Sequence, residues 1–266
     1  LPNWLIIFED ICGRVHERLG EVLSAGQAGE RMGLGAGGDV SFRADIVAEE
    51  AVIEGLKERG IECNLVMEER GLVRLGEGPW IAVDALDGSK NAIRGLGPFA
   101  TSLALSPTPR LEDVELAYVL EHTSQRAFYA VRGGGAYEGS RRIKAKGAKH
   151  LNEAIVGLDL CSISEAAQKR VAPVALSASA IRHLGSNAYE LCLVACGALD
   201  AHVDLRRRIR PLDIAAGALI VAEAGGLIGD ERGQGLASPL SPSARLNVIA
   251  AAEKELFLEL VQLLSS

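Results

Sequence analysis

Asp84-Ala85-Leu86-Asp87-Gly88-Ser89 is the stretch on which the reading of this chain turns. The apolar run Trp80-Ile81-Ala82-Val83 leads into it, so a strand delivers Asp84 to a sheet edge. Asp87 follows three residues later, after a turn, and both carboxylates and the Leu86 carbonyl can then point at one spot. Gly88 permits close approach to the backbone. If a helix starts at Ser89, its first N–H groups offer donors to an anion. Taken alone, the stretch has a plainer reading, in which Asp84 ends a strand and Asp87 caps a helix.

More carboxylates lie up and down the chain. Asp45 and the pair Glu68-Glu69 precede the stretch, the pair closing the strand-like run Asn64-Leu65-Val66-Met67. Asp213 follows Pro211 and opens the apolar run Ile214-Ala215-Ala216-Gly217-Ala218-Leu219. Asp45 and Asp213 each have a helix-capping alternative, and most Glu pairs are solvated turns. Their joint occurrence carries the argument. Clustered carboxylates raise one another's pKa, and burial adds a desolvation cost. Divalent cations remove both problems, and an all-oxygen set suits Mg²⁺, with Mn²⁺ as a substitute, rather than zinc. Mg²⁺ held by a few carboxylates commonly works on a phosphate.

The chain has 266 residues, enough for one large domain or two parts sharing a site. Hydrophobic residues make up 48%, so a substantial core is available. A net charge of -7 disfavours a general nucleic-acid binder. No apolar run reaches the roughly 18 residues of a membrane span, and Trp4-Leu5-Ile6-Ile7-Phe8, followed by Glu9-Asp10, reads as a helix start rather than a signal peptide. The cysteines (12, 63, 161, 192 and 196) show no metal-site spacing and suit a reducing cytoplasm. Cys192 and Cys196, a helical turn apart in an apolar segment, read as core.

Apolar positions 4, 8, 11, 15, 19 and 22 predict a helix over 4–24. The glycine-rich 29–38 stretch resembles a dinucleotide fingerprint, but it follows a helix rather than a strand, so a flexible loop is the better reading. A second helix is predicted from 45 to 59, stopped by Gly60. Strands are predicted at 61–67, 79–84, 101–106, 114–121, 127–131 and 136–138, an antiparallel sheet with helices packed on it. Strand-like 155–160 and 172–176, a helix at 186–197, a strand at 199–205, a helix at 212–224, a strand at 247–252 and a last helix make a second, α/β part. The expected division is 1–150, with most of the acidic ligands, and 151–266, with Asp213.

Three blocks resemble the Mg²⁺-dependent, lithium-sensitive phosphatase superfamily of inositol monophosphatases and fructose-1,6-bisphosphatases. Asp84 to Ser89, with Asn91, is similar to an Asp-Pro-Ile/Leu-Asp-Gly-Thr/Ser signature. Leu212-Asp213-Ile214-Ala215-Ala216-Gly217, continuing to Glu223-Ala224-Gly225-Gly226, is similar to a Trp-Asp-x-Ala-Ala-Gly block. Gly185-Ser186-Asn187-Ala188 through Leu199-Asp200-Ala201 resembles the block that touches the substrate ring, and Arg43-Ala44-Asp45 and Glu68-Glu69 fall at suitable positions before them. Ala85 stands in place of Pro, Ser89 where Thr is common, Met67 where Gly or Ser is usual, and Leu212 in place of Trp. None of these departures removes a ligand or hydroxyl.

The resemblance implies an α/β fold, a layered αβαβα sandwich of the sugar-phosphatase type. It implies two or three Mg²⁺ ions: one held by Glu68, Asp84 and the Leu86 carbonyl, another by Asp84, Asp87 and Asp213, and a weaker third near Glu68 under the 29–38 loop. Gly88 and Ser89 N–H groups would hold the phosphate, and Ser89 with Asp45 would orient water and take its proton. Gly185, Ser186, Asn187 and Asp204 would meet the sugar or cyclitol. Arg206 or Arg207, from the run Arg206-Arg207-Arg208 with Arg210, would reach a distal phosphate, against the plain reading of a solvated basic turn; Lys90 and Arg94 raise the same question. The short archaeal type, acting on inositol 1-phosphate and fructose 1,6-bisphosphate, is the nearest likeness, and it implies a cytoplasmic homodimer.

One alternative is a 3′-phosphoadenosine 5′-phosphate or NADP phosphatase, which needs a base-stacking surface that 4% aromatic residues hardly supply. Another is a non-catalytic relative that binds partners in RNA or transcription complexes; intact ligands and the negative charge weigh against it. His183, ahead of the ring-contacting block, reads as structural.

Overall fold

The computed structural model describes residues 3–265. Helix α1 (Trp4–Ser24) is followed by a hairpin of β1 (Arg31–Leu34) and β2 (Val40–Phe42), then α2 (Arg43–Glu58). Strands β3 (Asn64–Met67), β4 (Gly71–Arg74) and β5 (Trp80–Asp87) lead to the single turn α3 (Ser89–Ile93). Then come β6 (Ala100–Ser106), β7 (Leu116–Glu121), β8 (Arg126–Val131), β9 (Gly135–Glu138) and β10 (Arg141–Ile143). These strands form an eight-stranded sheet in the order β10-β9-β8-β7-β6-β5-β3-β4, antiparallel except where β3 runs parallel to β5.

The rest of the chain supplies β11 (Ile155–Leu158), α4 (Glu165–Ser177), β12 (Ala180–Arg182), α5 (Asn187–Ala195) and β13 (Ala201–Ile209). It ends with α6 (Pro211–Glu223), β14 (Leu227–Gly229), β15 (Leu246–Ala251) and α7 (Lys254–Leu264). Its five strands form a second sheet, β12-β11-β13-β15-β14.

Alternation along the strands explains the layering. Ile81 and Val83 of β5 join the core under α1 and α2, while Ala82 between them faces the opposite layer. The buried side chains of α1 (Phe8, Ile11, Cys12, Val15, Leu19 and Val22) follow helical spacing. Full burial of such a side chain is worth about 1.5–3 kcal/mol, so packing rather than intrinsic propensity holds this helix. On the sheet's other face lie α5 and α6, and α6 is buried almost all round because it sits between the two sheets. Ala82, Ala104, Ala117 and Ala130 keep the sheet surface low beneath it. A Cβ on Gly217 would lie 2.7 Å from Leu191 Cδ1, so this glycine lets α5 and α6 approach. Helices α4 and α7 cover the outer face of the second sheet around Val156, Val203 and Ile249. The result is the expected αβαβα sandwich, one core of which takes side chains from both halves of the chain. Among the described residues, no helix is long and apolar enough to cross a membrane.

Two local readings are corrected. The 172–176 stretch is not a strand but the end of α4: Ser164 caps that helix by accepting the Ala167 N–H, and Ala167, Val171 and Val174 bury one helical face. Residues 29–38 are no open loop either. They contain β1 and turn back into β2, and the tip is pinned by Ala36 N–H on Glu69 O (2.8 Å) and Gly37 N–H on Glu68 O (3.1 Å). The Gly60 stop holds: φ is +63°, and Ile61 N–H closes back on Leu56 O.

Candidate active site

The acidic stretch gains its shape from a bulge. Pairing between β5 and β6 runs Asp84↔Ser102 and then Asp87↔Ala100, so β5 carries one extra residue there. The bulge turns Leu86, Asp84 and Asp87 toward a cleft of about 520 Å³. Gly88 follows at φ +86°, where a Cβ would lie 3.1 Å from Pro98 O and 3.2 Å from Gly185 O. Both its conformation and its surroundings therefore require glycine. The Ser89 hydroxyl donates to Leu86 O at 3.0 Å and also faces the Asp45 carboxylate, with one proton to share between them.

Asp45 and Asp213 are capping residues and line the cleft as well. Each occupies the third position of its helix, accepting the Phe42 N–H and the Arg210 N–H respectively, both at 2.8 Å. That bond uses one oxygen of Asp213; its Oδ1 is buried and has no hydrogen-bond donor among the described residues. Single carboxylate oxygens of Glu68, Asp84 and Asp213 lie within 4.8 Å of one another. Burial, followed by the charge of Asp213, pushes the Glu68 carboxyl well up, and burial followed by Asp87 does the same to Asp84. Asp213 is raised by burial against the opposing pull of Arg210. Asp87 rises to about 7 through burial, although Ser186 Oγ and Ala188 N–H both donate to its Oδ2 at 2.7 Å. Oxygen donors that destabilise one another as anions, one of them buried without a partner, fit a hard divalent cation of the Mg²⁺ class.

Arg210, outside the predicted site set, is the main cation here. Its guanidinium lies 2.8 Å from Glu68 Oε1 and pairs with Asp39, which the hairpin tip brings in. Glu49 was also missed. From α2 it accepts the N–H groups of Glu69 (2.8 Å) and Arg70 (3.1 Å), fixing the backbone that presents Glu68, and its own carboxyl is raised to about 7 by burial. The signal available in the sequence is spacing: Glu49 lies one helical turn beyond Asp45, and Arg210 lies three residues before Asp213.

The second half of the chain closes the cleft through Gly185 and Asn187. Ser186 is fully buried, and its hydroxyl is committed to Asp87, so it supports the acidic stretch rather than facing the cleft. Asp204 is likewise fully buried and bound by Arg206, whose guanidinium also meets Asp159 at 2.6 Å and Cys161 O at 3.2 Å. Strand pairing jumps from Asp204↔Val248 to Ile209↔Leu246, so residues 205–208 bulge from β13. Within that bulge Arg206 and Arg208 line the cleft, whereas Arg207 has φ +56° and is not among the lining residues. Of the two arginines expected to reach a distal phosphate, Arg206 lines the cleft but is largely tied to Asp204 and Asp159, and Arg207 does not line it; Arg208 does. Lys90 lines the cleft; Arg94 does not.

Comparison with known proteins agrees with this geometry. The profile of the inositol monophosphatase family matches residues 8–266. A fructose-1,6-bisphosphatase/inositol-1-monophosphatase of Thermococcus kodakarensis is 34% identical over 254 residues, covering 96% of this chain and 94% of its own. A Pyrococcus horikoshii protein described as similar to inositol-1 monophosphatase superposes with a TM-score of 0.83 at 29% identity, covering 97% of each chain. An inositol monophosphatase–fructose 1,6-bisphosphatase structure gives a TM-score of 0.84 at 28% identity, covering 98% of this chain and 100% of that one. With its acidic stretch, helix-capping Asp213 and layered fold in place, this chain belongs to the inositol monophosphatase family.

Proposed function

We propose that the chain is a Mg²⁺-dependent phosphomonoesterase that acts on inositol 1-phosphate and on the 1-phosphate of fructose 1,6-bisphosphate. The observation that carries this reading is the Glu68–Asp84–Asp213 cluster beside a cleft that also presents basic side chains. Glu68, Asp84, Asp87, Asp213 and the Leu86 carbonyl would hold two ions, with Mn²⁺ as a substitute, and a weaker third belongs near Glu68. Bound there, Mg²⁺ supplies charge neutralisation for phosphate oxygens and makes water a better nucleophile.

The chain's own groups do the rest. Gly88 and Ser89 N–H groups orient the phosphate at the start of α3. The Ser89 hydroxyl positions the attacking water, and Asp45, whose carboxyl is raised by burial, accepts its proton. Gly185 and Asn187 meet the alcohol. Arg208, exposed and turned to the cleft, together with Lys90 receives the distal phosphate of a bisphosphate. A cytoplasmic homodimer belongs to the same reading, on the strength of the family resemblance.

The test is phosphate release from inositol 1-phosphate and fructose 1,6-bisphosphate side by side, with Mg²⁺ and with EDTA. Release from both with Mg²⁺ alone is expected, and Asp213→Asn should lower it by orders of magnitude. Release unaffected by EDTA would overturn the metal assignment, and release only from adenosine or nicotinamide nucleotides would overturn the substrate.

A further inference from the structure

A second cluster of metal-ligating side chains lies away from the acidic stretch. Strands β11 and β12 run parallel, pairing Ile155↔Ala180 through Gly157↔Arg182, so the turns at their C-terminal ends lie side by side. One turn carries Asp159 and Cys161, and the other carries His183. Cys161 Sγ is 3.2 Å from His183 Nε2, and His183 Nδ1 is 3.6 Å from Asp159 Oδ1. One donor atom from each residue lies within 4.8 Å of the other two.

We propose that Asp159, Cys161 and His183 form a separate binding site for a zinc-class cation. The donor chemistry differs from that of the cleft: a thiolate, an imidazole and a carboxylate select a borderline-soft ion over Mg²⁺. Asp159 is the fixed point, being buried, held by Arg206 through Oδ2 and accepting the Cys161 N–H at 2.9 Å. Cys161 and His183 are exposed, so small side-chain rotations can draw three donors to the roughly 2.0–2.3 Å bond lengths of zinc. A fourth position is open to water. Because Asp159 also anchors Arg206 at the cleft wall, a cation here shares a carboxylate with that wall. Cysteine spacing gave no hint of the site, because its ligands come from two strand ends that meet only through parallel pairing.

Cobalt(II) is the probe. The full chain, in saturating Mg²⁺ and a non-thiol reductant, is titrated with Co²⁺ while thiolate-to-cobalt charge-transfer absorption is followed. Cys12, Cys63 and Cys192 are buried and Cys196 half-buried, so the band reports on Cys161, and cobalt in the all-oxygen cleft does not produce it. The expected result is a band that saturates at a single cobalt per chain and is displaced by Zn²⁺. Cys161→Ser should abolish it, and His183→Gln should weaken binding at least about tenfold, with phosphate release in Mg²⁺ unchanged in both. No band in the wild type, a band persisting in Cys161→Ser, or undiminished affinity in His183→Gln would each overturn the site.

Discussion

Asp84→Asn should make the cation-free protein more stable while removing its activity. Asp84 is 3% exposed, and its carboxyl is pushed up first by burial and then by the charges of Asp87, Asp213 and Glu68. Two unit charges 4.8 Å apart, the outer limit for this cluster, repel by about 3 kcal/mol at an effective dielectric of about 20. Arg210, 2.8 Å from Glu68, and partial protonation absorb much of that. A net gain of about 1–3 kcal/mol is left for the near-isosteric amide, or about 2–6 °C in Tm for a chain of this size. Mg²⁺ reverses the order, since a ligand at about 100 times its Kd stabilises the native state by about 2.7 kcal/mol. The assay is thermal melting of wild type and variant in EDTA and across a Mg²⁺ titration, with phosphate release measured in parallel. The two Tm values should cross as Mg²⁺ is added. A variant that melts below wild type in EDTA yet gains the same Mg²⁺ shift would refute the reasoning and make Asp84 a structural residue.

Four further outcomes follow from the geometry. Arg208→Ala should raise KM for fructose 1,6-bisphosphate about tenfold or more while leaving that for inositol 1-phosphate nearly unchanged, because only the bisphosphate has a group to lose; equal effects on both would remove Arg208 from the distal subsite. Arg206→Ala should instead lower Tm, because it strands the buried Asp204, and steady-state kinetics with denaturation curves separate the two arginines. Gly88→Ala should cost about 1–3 kcal/mol in urea denaturation, since it strains φ +86° and crowds Pro98 O at 3.1 Å; an unchanged midpoint would contradict the required left-handed turn. Glu190→Gln tests the fully buried pair with His202, whose Nδ1 lies 3.0 Å from Glu190 Oε2. His202 is raised above 6.5 although burial opposes it, chiefly by its Glu190 hydrogen bond, while Glu190 is lowered below 4.5 by the same bond against its own burial. The histidine's contribution is therefore fully present below 6.5 and fades as pH rises through the raised value, and the glutamate's is present above 4.5 and fades below it. The stability gap between wild type and Glu190→Gln should be widest between those two values and should narrow as pH rises through the raised histidine value, and a gap that grows in alkali would count against the charged pair.

What the sequence disclosed and what it hid divides along physical lines. Central strands such as β5, β6 and β7 are buried on both faces, so their apolar runs stand out. The strands that escaped notice in the two large sheets (β4, β10, β12 and β14) are all sheet edges. An edge strand is short and half-solvated, so it needs no apolar run, as Arg141-Arg142-Ile143 illustrates. In the cleft, Asp84, Asp87 and Asp213 were legible because carboxylates next to apolar runs are costly unless used. Arg208 and Arg207 were indistinguishable in sequence, because the choice between them depends on a bulge set by pairing with β15. Ser186 was legible as a participant but not as a buried support, since its partner Asp87 is almost a hundred positions away.

The layer of α5 and α6 between the sheets has a consequence for how the cleft comes into being. Asp87 depends on Ser186 and Ala188 at the start of α5, and Asp213 rides on the start of α6. Neither helix has a resting place until both sheets flank it. The cleft is therefore not a local product of the acidic stretch: pairing of β3 with β5 brings Glu68 beside Asp84, and Asp213 joins them only through the helix layer between the sheets. A cation held by all three carboxylates would tie the first sheet to the helix layer and oppose their separation.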